Sequence, residues 1–387
     1  MMITVHIDGR TIQVRAGATI LEAARKLGIG IPTLCHIKGL DAEGLCRVCM
    51  VEVAGVHNLV PACAFTLQDG MEVITDSPRI YNARRQVLDL LLSKHDANCF
   101  SCYKHGDCQF HRYCLEYGLD KSSYAHLQNW PPVDTSNPFY DFDPAKCILC
   151  RKCVRICAQR QCVETWALCE RGFDHHIAPA FDAPLKESSC VSCGNCLTVC
   201  PTGALHPKTV LSGLYSRSTE SVCPYCGVGC KLNIQTNKGK VTGIVPFNGP
   251  ANEGLLCVKG RFAYHFIQHS DRLQKPLIRK NGKLVEASWE EAYAVIVKAW
   301  QEAKAAGGGK AFGALSSARC SNEENYLFQK LLRGLAETNN IDHCARLCHA
   351  STVAGLQMSF GSGAMTNSIA EILDMDVYDA PSGGAFS

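Results

Sequence analysis

Over residues 2–8 apolar and polar residues alternate, with Ile3, Val5 and Ile7 on one side, and the alternation resumes over 11–15 after Asp8-Gly9. A period of two predicts two strands, and Asp-Gly predicts the hairpin turn that joins them. Thr19 caps a predicted helix that runs to about Leu27 and ends at Gly28. Apolar positions 80, 83, 87, 88, 90, 91 and 92 predict an amphipathic to nearly buried helix over 79–94. The stretch 120–140 is polar, with Pro131-Pro132 and Pro138, and reads as a linker. A strand pair is predicted around 231–246, turning at Lys238-Gly239. From 288 onward helix and strand alternate. Ser288 caps a helix over 289–305, Gly307-Gly308-Gly309 breaks it, and Ala311 to Ser316 reads as a buried strand. Ser321-Asn322-Glu323-Glu324 is a capping box for a helix to about Glu337. This is the first unit of a doubly wound sheet, which binds nucleotide-like ligands at its strand ends.

Composition narrows the class. The chain has 387 residues, room for two to four domains, and 47% are hydrophobic. A net charge of +3 gives no argument for nucleic acid or an anionic membrane. No run of 18 apolar residues exists, and the start lacks a charged segment followed by an apolar one, so no membrane span or export signal is expected. The outlier is cysteine, with 25 residues in tight groups rather than spread pairs. That spacing predicts metal centres in a reduced, cytoplasmic protein, not a disulfide framework.

The densest group reads C-I-L-C-R-K-C-V-R-I-C at 147–157 and C-V-S-C-G-N-C-L-T-V-C-P at 190–201. Each half is C-x2-C-x2-C-x3-C, the bacterial ferredoxin pattern for two [4Fe–4S] clusters, in which the fourth Cys crosses to the other cluster. The assignment is Cys147, Cys150, Cys153 and Cys200 to one cluster and Cys157, Cys190, Cys193 and Cys196 to the other. Two structural zinc sites are the alternative, and the x2-x2-x3 run suits them poorly. Upstream, Cys35, Cys46, Cys49 and Cys63 are spaced C-x10-C-x2-C-x13-C behind a strand–turn–strand–helix opening. That opening points to a β-grasp [2Fe–2S] domain, with structural zinc as the alternative. The gap after Cys35 is longer than in plant-type ferredoxins. It resembles the N-terminal domain of the large iron–sulfur subunit of complex I. His95-x3-Cys99-x2-Cys102-x5-Cys108 matches a motif of the same family and implies a [4Fe–4S] cluster with one imidazole ligand. Cys114 reads as a buried thiol, and Cys162, Cys169, Cys320 and Cys344 as structural.

The second half resembles molybdopterin-guanine-dinucleotide oxidoreductases. C-P-Y-C-G-V-G-C and C-V-K-G-R carry the match, which implies a [4Fe–4S] cluster on Cys223, Cys226, Cys230 and Cys257. It also implies a role for Lys259 between cluster and pterin; a solvated lysine is the alternative. T-N-N-I-D-H-C-A-R-L-C-H-A-S-T-V-A-G-L looks like the active-site segment of cytosolic formate dehydrogenases using molybdenum or tungsten. The resemblance makes Cys348 a metal ligand and His349 its assistant. A soft thiolate suits an oxidised metal that takes hydride from formate, and an adjacent imidazole suits the proton. The alternative is that Cys344 and Cys348 are two buried thiols on a helix.

The expected fold is therefore an α+β multidomain iron–sulfur protein. Its parts are a β-grasp [2Fe–2S] domain (1–78), a His/Cys3 [4Fe–4S] domain (79–120) and a ferredoxin-like domain with two [4Fe–4S] clusters (138–210). A molybdopterin-oxidoreductase [4Fe–4S] domain (218–275) and the start of a pterin-binding α/β domain (276–387) follow. That order resembles the catalytic subunit of NAD(P)-linked formate dehydrogenases. It implies one [2Fe–2S] and four [4Fe–4S] clusters and a molybdenum or tungsten bis-molybdopterin guanine dinucleotide. It also implies a flavin-containing NAD(P)H-binding partner, a small [2Fe–2S] partner subunit and ferredoxin, in a hetero-oligomer. Family members continue for several hundred residues beyond the position of Ser387, so this chain alone is not expected to enclose the bis-pterin cofactor. Two functions from different classes remain open: a formate-oxidising subunit, and a non-catalytic electron conduit between a flavin subunit and another redox partner. An iron-only hydrogenase shares the N-terminal motifs but would need a further Cys-rich set after residue 201, where a pterin-type set stands.

Overall fold

The computed structural model describes residues 1–124, 130–208, 215–363 and 371. The chain divides into two compact units. The first comprises 1–219, 233–246 and 255–262, and the second 220–232, 247–254 and the residues from 263.

The first unit opens with β1 (Met2–Ile7) and β2 (Arg10–Arg15), paired antiparallel from Met2↔Arg15 to Ile7↔Arg10. The alternation is realised, since Ile3, Val5 and Ile7 are buried. Helix α1 (Ile20–Lys26) starts at the capping box of Thr19 and Glu22 and buries Ile20, Leu21, Ala23 and Ala24. Ile20 and Leu21 are fully covered, worth about 1.5–3 kcal/mol each in burial. Three short strands complete the sheet: β3 (Met50–Val53), β4 (Val60–Pro61) and β5 (Glu72–Ile74). The order is β2-β1-β5-β3-β4, with β1 and β5 parallel. This is a β-grasp sheet with α1 in its core.

Helix α2 (Pro78–Ser93) is capped by Ser77, with Pro at its first position. Ile80, Leu88 and Leu92 are buried, while Leu90 is exposed, so the helix is one-sided rather than nearly enclosed. Helix α3 (Gln109–Glu116) buries Phe110 and Cys114. Next come β6 (Tyr140–Phe142), α4 (Lys152–Gln159), β7 (Ala167–Cys169), β8 (His176–Ala178), α5 (Asn195–Val199) and β9 (Leu205–Pro207). β6 pairs antiparallel with β9, which closes the ferredoxin-like part on itself. The polar stretch before β6 is not a free linker where it is described: Asp134 bridges to Phe142, and its carboxylate accepts from Leu185 N.

Strand β10 (Arg217–Val222) precedes β11 (Lys231–Asn237) and β12 (Lys240–Pro246), the pair that turns at Lys238-Gly239. Helix α6 (Val258–Phe262) ends the first unit. In the second unit, β13 (Leu277–Lys280) and β14 (Lys283–Glu286) form a hairpin. Capping boxes at Ser288 and Ser321 start α7 (Trp289–Gly307) and α8 (Asn322–Leu331). Between them β15 (Ala314–Ser316) is shorter than expected, and Leu315 is 83% exposed, so it is not a buried strand. It pairs parallel with β16 (Ile341–His343), as a doubly wound sheet begins. α8 stops at Leu331, and the helical run to Ala336 widens into a π turn that ends on left-handed Glu337. Helices α9 (Ala345–Cys348) and α10 (Ala350–Phe360) follow. Leu373 to Tyr378, whose sequence reads as the start of a strand, lies outside the described residues. Among the described residues no helix is long and apolar enough to cross a membrane.

Candidate metal centres

Cys35, Cys46, Cys49 and Cys63 are all buried around the mouth of the β-grasp sheet. Cys49 Sγ lies 3.4 Å from Cys63 Sγ, and Cys46 N donates to Cys35 Sγ at 3.5 Å. The sulfurs crowd closely enough to compete for protons. Hydrogen bonds from Cys46 and Cys63 pull Cys35 down, a bond from Cys63 pulls Cys49 down, and bonding to Cys35 pushes Cys46 and Cys63 up. Such a set is relieved by a cation that takes every sulfur as thiolate.

His95 follows α2 and is 6% exposed, edge-on to Phe110 with centroids 5.2 Å apart. Burial, then the nearby Lys146 charge, lowers its pKa to about 4, so the imidazole stays neutral, the form that binds metals. Its Nδ1 is buried with no hydrogen-bond partner. Together with Cys99, Cys102 and Cys108 it lines a cavity of about 230 Å³. An orphaned nitrogen and three thiols around one cavity fit a His/Cys3 cluster. Gly203 borders the cavity, and a Cβ there would run into Cys102 Sγ. Cys114 also lines it, buried, with burial pushing its thiol up to about 12.

The two ferredoxin motifs fold as structural repeats. Leu149 and Arg151 in the first, and Ser192 and Gly194 in the second, are left-handed at matching positions. Leu149 N donates to Cys147 Sγ and Ser192 N to Cys190 Sγ, both at 3.4 Å. The backbone thus curls around each sulfur with its N–H inward, and such bonds tune cluster potential. Cys147 has Cys150 and Cys200 as thiol neighbours, and Cys153 has Cys147, Cys150 and Cys200 with Cys196 beyond. Cys196 has Cys193, Cys190 and Cys157. Burial pushes Cys150 to about 12 and raises Cys147, Cys153 and Cys196, so bare thiolates are costly there and iron would compensate them. Among the described residues no three such groups stand at single-ion distances. A lone zinc needs all donors about 2.3 Å from one point, whereas a cubane spreads its ligands over its corners.

Basic side chains that motif reading missed join these centres. Arg155 of α4 is buried, donates to Cys35 O at 3.0 Å and to Asp41 O, and pairs with Glu43. Lys146, next to Cys147, donates to Asp96 and Asn98 beside His95. Cys108 Sγ lies 3.6 Å from Pro201 O. Spacing counts along the chain carry no sign of these contacts, which link residues 48 to 120 positions apart.

Cys223 is buried, Cys226 exposed and Cys230 half-buried in the second unit, with Cys223 N donating to Cys230 O at 2.9 Å. Cys257 belongs to the first unit and is exposed, as is Lys259. Cys348 and His349 sit at the junction of α9 and α10, both exposed, and Cys348 Sγ donates to Cys344 O at 3.3 Å. Cys344 is exposed too, which corrects the alternative of two buried thiols. Of the cysteines read as structural, Cys162 is also exposed, while Cys169 and Cys320 are half-buried.

Family models match in one order: a 2Fe-2S iron-sulfur cluster binding domain over 1–78, then the NADH-ubiquinone oxidoreductase-G iron-sulfur binding region over 84–123. A 4Fe-4S dicluster domain (142–204), a molybdopterin oxidoreductase Fe4S4 domain (216–269) and molybdopterin oxidoreductase (272–379) follow. Iron–sulfur domain models and part of a molybdopterin oxidoreductase domain thus match in series along the chain. It is 38% identical over 89% of its length to one of the NADH-quinone oxidoreductase subunits of Rhizobium meliloti (strain 1021), covering 40% of that protein. It is 34% identical over 96% of its length to "Putative formate dehydrogenase YrhE" of Bacillus subtilis (strain 168), covering 42%. A crystal structure of NAD+-reducing [NiFe]-hydrogenase in the H2-reduced state aligns with TM-score 0.51 and 29% identity, over 55% of this chain and 89% of that one. The chain spans about two fifths of the length of the curated relatives it matches.

Proposed function

We propose that the chain is the iron–sulfur electron-transfer subunit of a formate-dehydrogenase-like, NAD(P)-linked oxidoreductase complex in the cytoplasm. Cys35, Cys46, Cys49 and Cys63 hold one [2Fe–2S] cluster. Four [4Fe–4S] clusters are held by His95, Cys99, Cys102 and Cys108; by Cys147, Cys150, Cys153 and Cys200; by Cys157, Cys190, Cys193 and Cys196; and, on spacing alone, by Cys223, Cys226, Cys230 and Cys257. The convergence of the first three motif groups into buried and half-buried sulfur sets tied by Arg155 and Lys146 carries this reading. A flavin-containing NAD(P)H-binding subunit, a small [2Fe–2S] subunit and ferredoxin are the partners.

Molybdenum or tungsten on a pterin would supply formate oxidation to CO2, or its reverse. Cys348 offers the thiol for it, His349 a proton carrier, and Lys259 a cation between cluster and pterin. The exposure of Cys348 and His349 equally suits a conduit without an active metal, with electrons passing between the flavin subunit and another carrier.

Metal analysis of the native complex, purified without oxygen, separates these readings. About 18 irons per chain are expected from the motifs. Molybdenum or tungsten near one per chain, with formate-dependent NAD(P)+ reduction lost in Cys348→Ala, supports the enzyme. Full iron without either metal makes the chain a conduit. Iron far below that level sinks the cluster assignment.

The ferredoxin pair offers a finer check. Tyr140 is almost fully buried and its hydroxyl lies 3.0 Å from Cys190 Sγ. An O–H donated to a cluster sulfur favours the more negative, reduced state. Tyr140→Phe is therefore expected to keep all iron and lower the potential of the Cys190 cluster, read by an EPR-monitored redox titration.

A further inference from the structure

Arg261 is 5% exposed, although it is an arginine on the five-residue helix α6. Its Nε donates to Cys193 O at 2.9 Å, and its Nη2 to Asn195 Oδ1 at 3.1 Å. The same Oδ1 accepts from Leu256 N at 3.2 Å, and Asn195 Nδ2 donates to Gln161 Oε1 at 3.0 Å. Asn195 stands directly before Cys196. Gly194, left-handed at φ +72°, lies flat against this contact, and a Cβ there would overlap Arg261 Cδ and Nε and the Phe262 ring. Phe262 in turn stacks on Phe139 with centroids 4.8 Å apart. Among the described residues no carboxylate pairs with Arg261; the titratable groups around it are the thiols of Cys196, Cys193 and Cys257. A buried guanidinium with no counter-ion is strongly unfavourable. A cubane held by four thiolates is doubly negative when oxidised and triply negative after taking one electron, and it would supply the missing charge.

We infer that Arg261 is a positioning residue that gives the cluster of Cys157, Cys190, Cys193 and Cys196 its fixed positive charge and fastens the Cys257 segment onto that cluster's loop. The inference rests on the cluster assignment proposed above. A fixed cation stabilises the reduced cluster more than the oxidised one, so it raises the potential at which that cluster takes its electron. It also makes this potential depend on the segment that carries Cys257.

The test is an EPR-monitored redox titration of the anaerobically prepared full chain, with iron content measured on each sample. The signal to follow is the four-iron signal that Cys157→Ala removes. Arg261→Met is expected to keep its iron and shift that midpoint to lower potential, leaving the other signals in place. Arg261→Lys is expected to restore part of the shift, because it keeps the charge and loses the fork. Asn195→Asp keeps the acceptor and the shape but sets a carboxylate against the guanidinium, so it should shift the same midpoint downward. An unchanged midpoint in iron-replete Arg261→Met overturns the inference, as do equal shifts in the Lys and Met variants, which would show lost packing rather than lost charge. Where Arg261→Met fails to retain iron, Asn195→Asp decides: an unmoved midpoint there overturns the inference. A wild-type chain without any four-iron signal sensitive to Cys157 overturns the cluster assignment itself, and Arg261's role with it.

Discussion

His95→Ala is expected to remove one four-iron EPR signal and four irons, and to leave the ferredoxin pair intact. His95 is the only member of its set that comes from the end of a long helix, α2, and it is held by burial against Phe110. Removing the ring leaves three cysteines about a 230 Å³ cavity, one ligand short. Cys99→Ala is expected to act the same way. His95→Cys separates ligation from packing. A thiolate restores the fourth ligand but adds a negative charge where a neutral imidazole stood, so the cluster should return at a lower potential. Iron analysis and a redox titration of the three variants check this. An unchanged spectrum of the reduced protein in His95→Ala would sink the His/Cys3 assignment.

The two ferredoxin motifs stand out in the sequence because their cysteines are close along the chain: in each half three of the four fall within seven residues. The same holds for the three capping boxes at Thr19, Ser288 and Ser321, where one polar residue and a Glu three places on decide the start of a helix. The rest of the β-grasp sheet could not be seen. β3, β4 and β5 have four, two and three residues, too few to show a period, and only β5 joins β1, across more than 60 positions. The strand looked buried because Ala311 to Ser316 is apolar up to its last residue, yet among the described residues one parallel neighbour leaves Leu315 uncovered. The positions of Lys146, Arg155 and Arg261 were also illegible. A basic residue in a Cys-rich motif has no local signature of burial, and its partners lie on segments far away in the chain.

Arg84→Met is expected to destabilise the first unit by about 3 kcal/mol or more. Arg84 is 5% exposed on α2. Its guanidinium donates to Met50 O through Nε at 3.2 Å and Nη2 at 2.8 Å, to Thr75 O at 3.1 Å, and through Nη1 to Tyr117 Oη at 3.3 Å. One side chain thus joins α2 to the start of β3, to the end of β5 and to the segment after α3. Met fills similar volume but donates nothing, and it strands two buried carbonyls. Each unmade bond to a charged donor is worth about 1.5–3 kcal/mol, with incomplete additivity. Lys can reach one acceptor but cannot fork across three, so Arg84→Lys should fall between Met and wild type. Because clusters break two-state behaviour, the comparison is of urea midpoints at equal iron content, followed by loss of visible absorbance. Met50 directly follows Cys49, so the [2Fe–2S] absorbance should bleach first. A Met variant within about 0.5 kcal/mol of wild type, the range of ordinary surface changes, would mean that the fork is incidental. The coupling between α2 and the β-grasp domain would then rest on other contacts, such as Ser77 Oγ to Glu52 and Arg79 to His57 O.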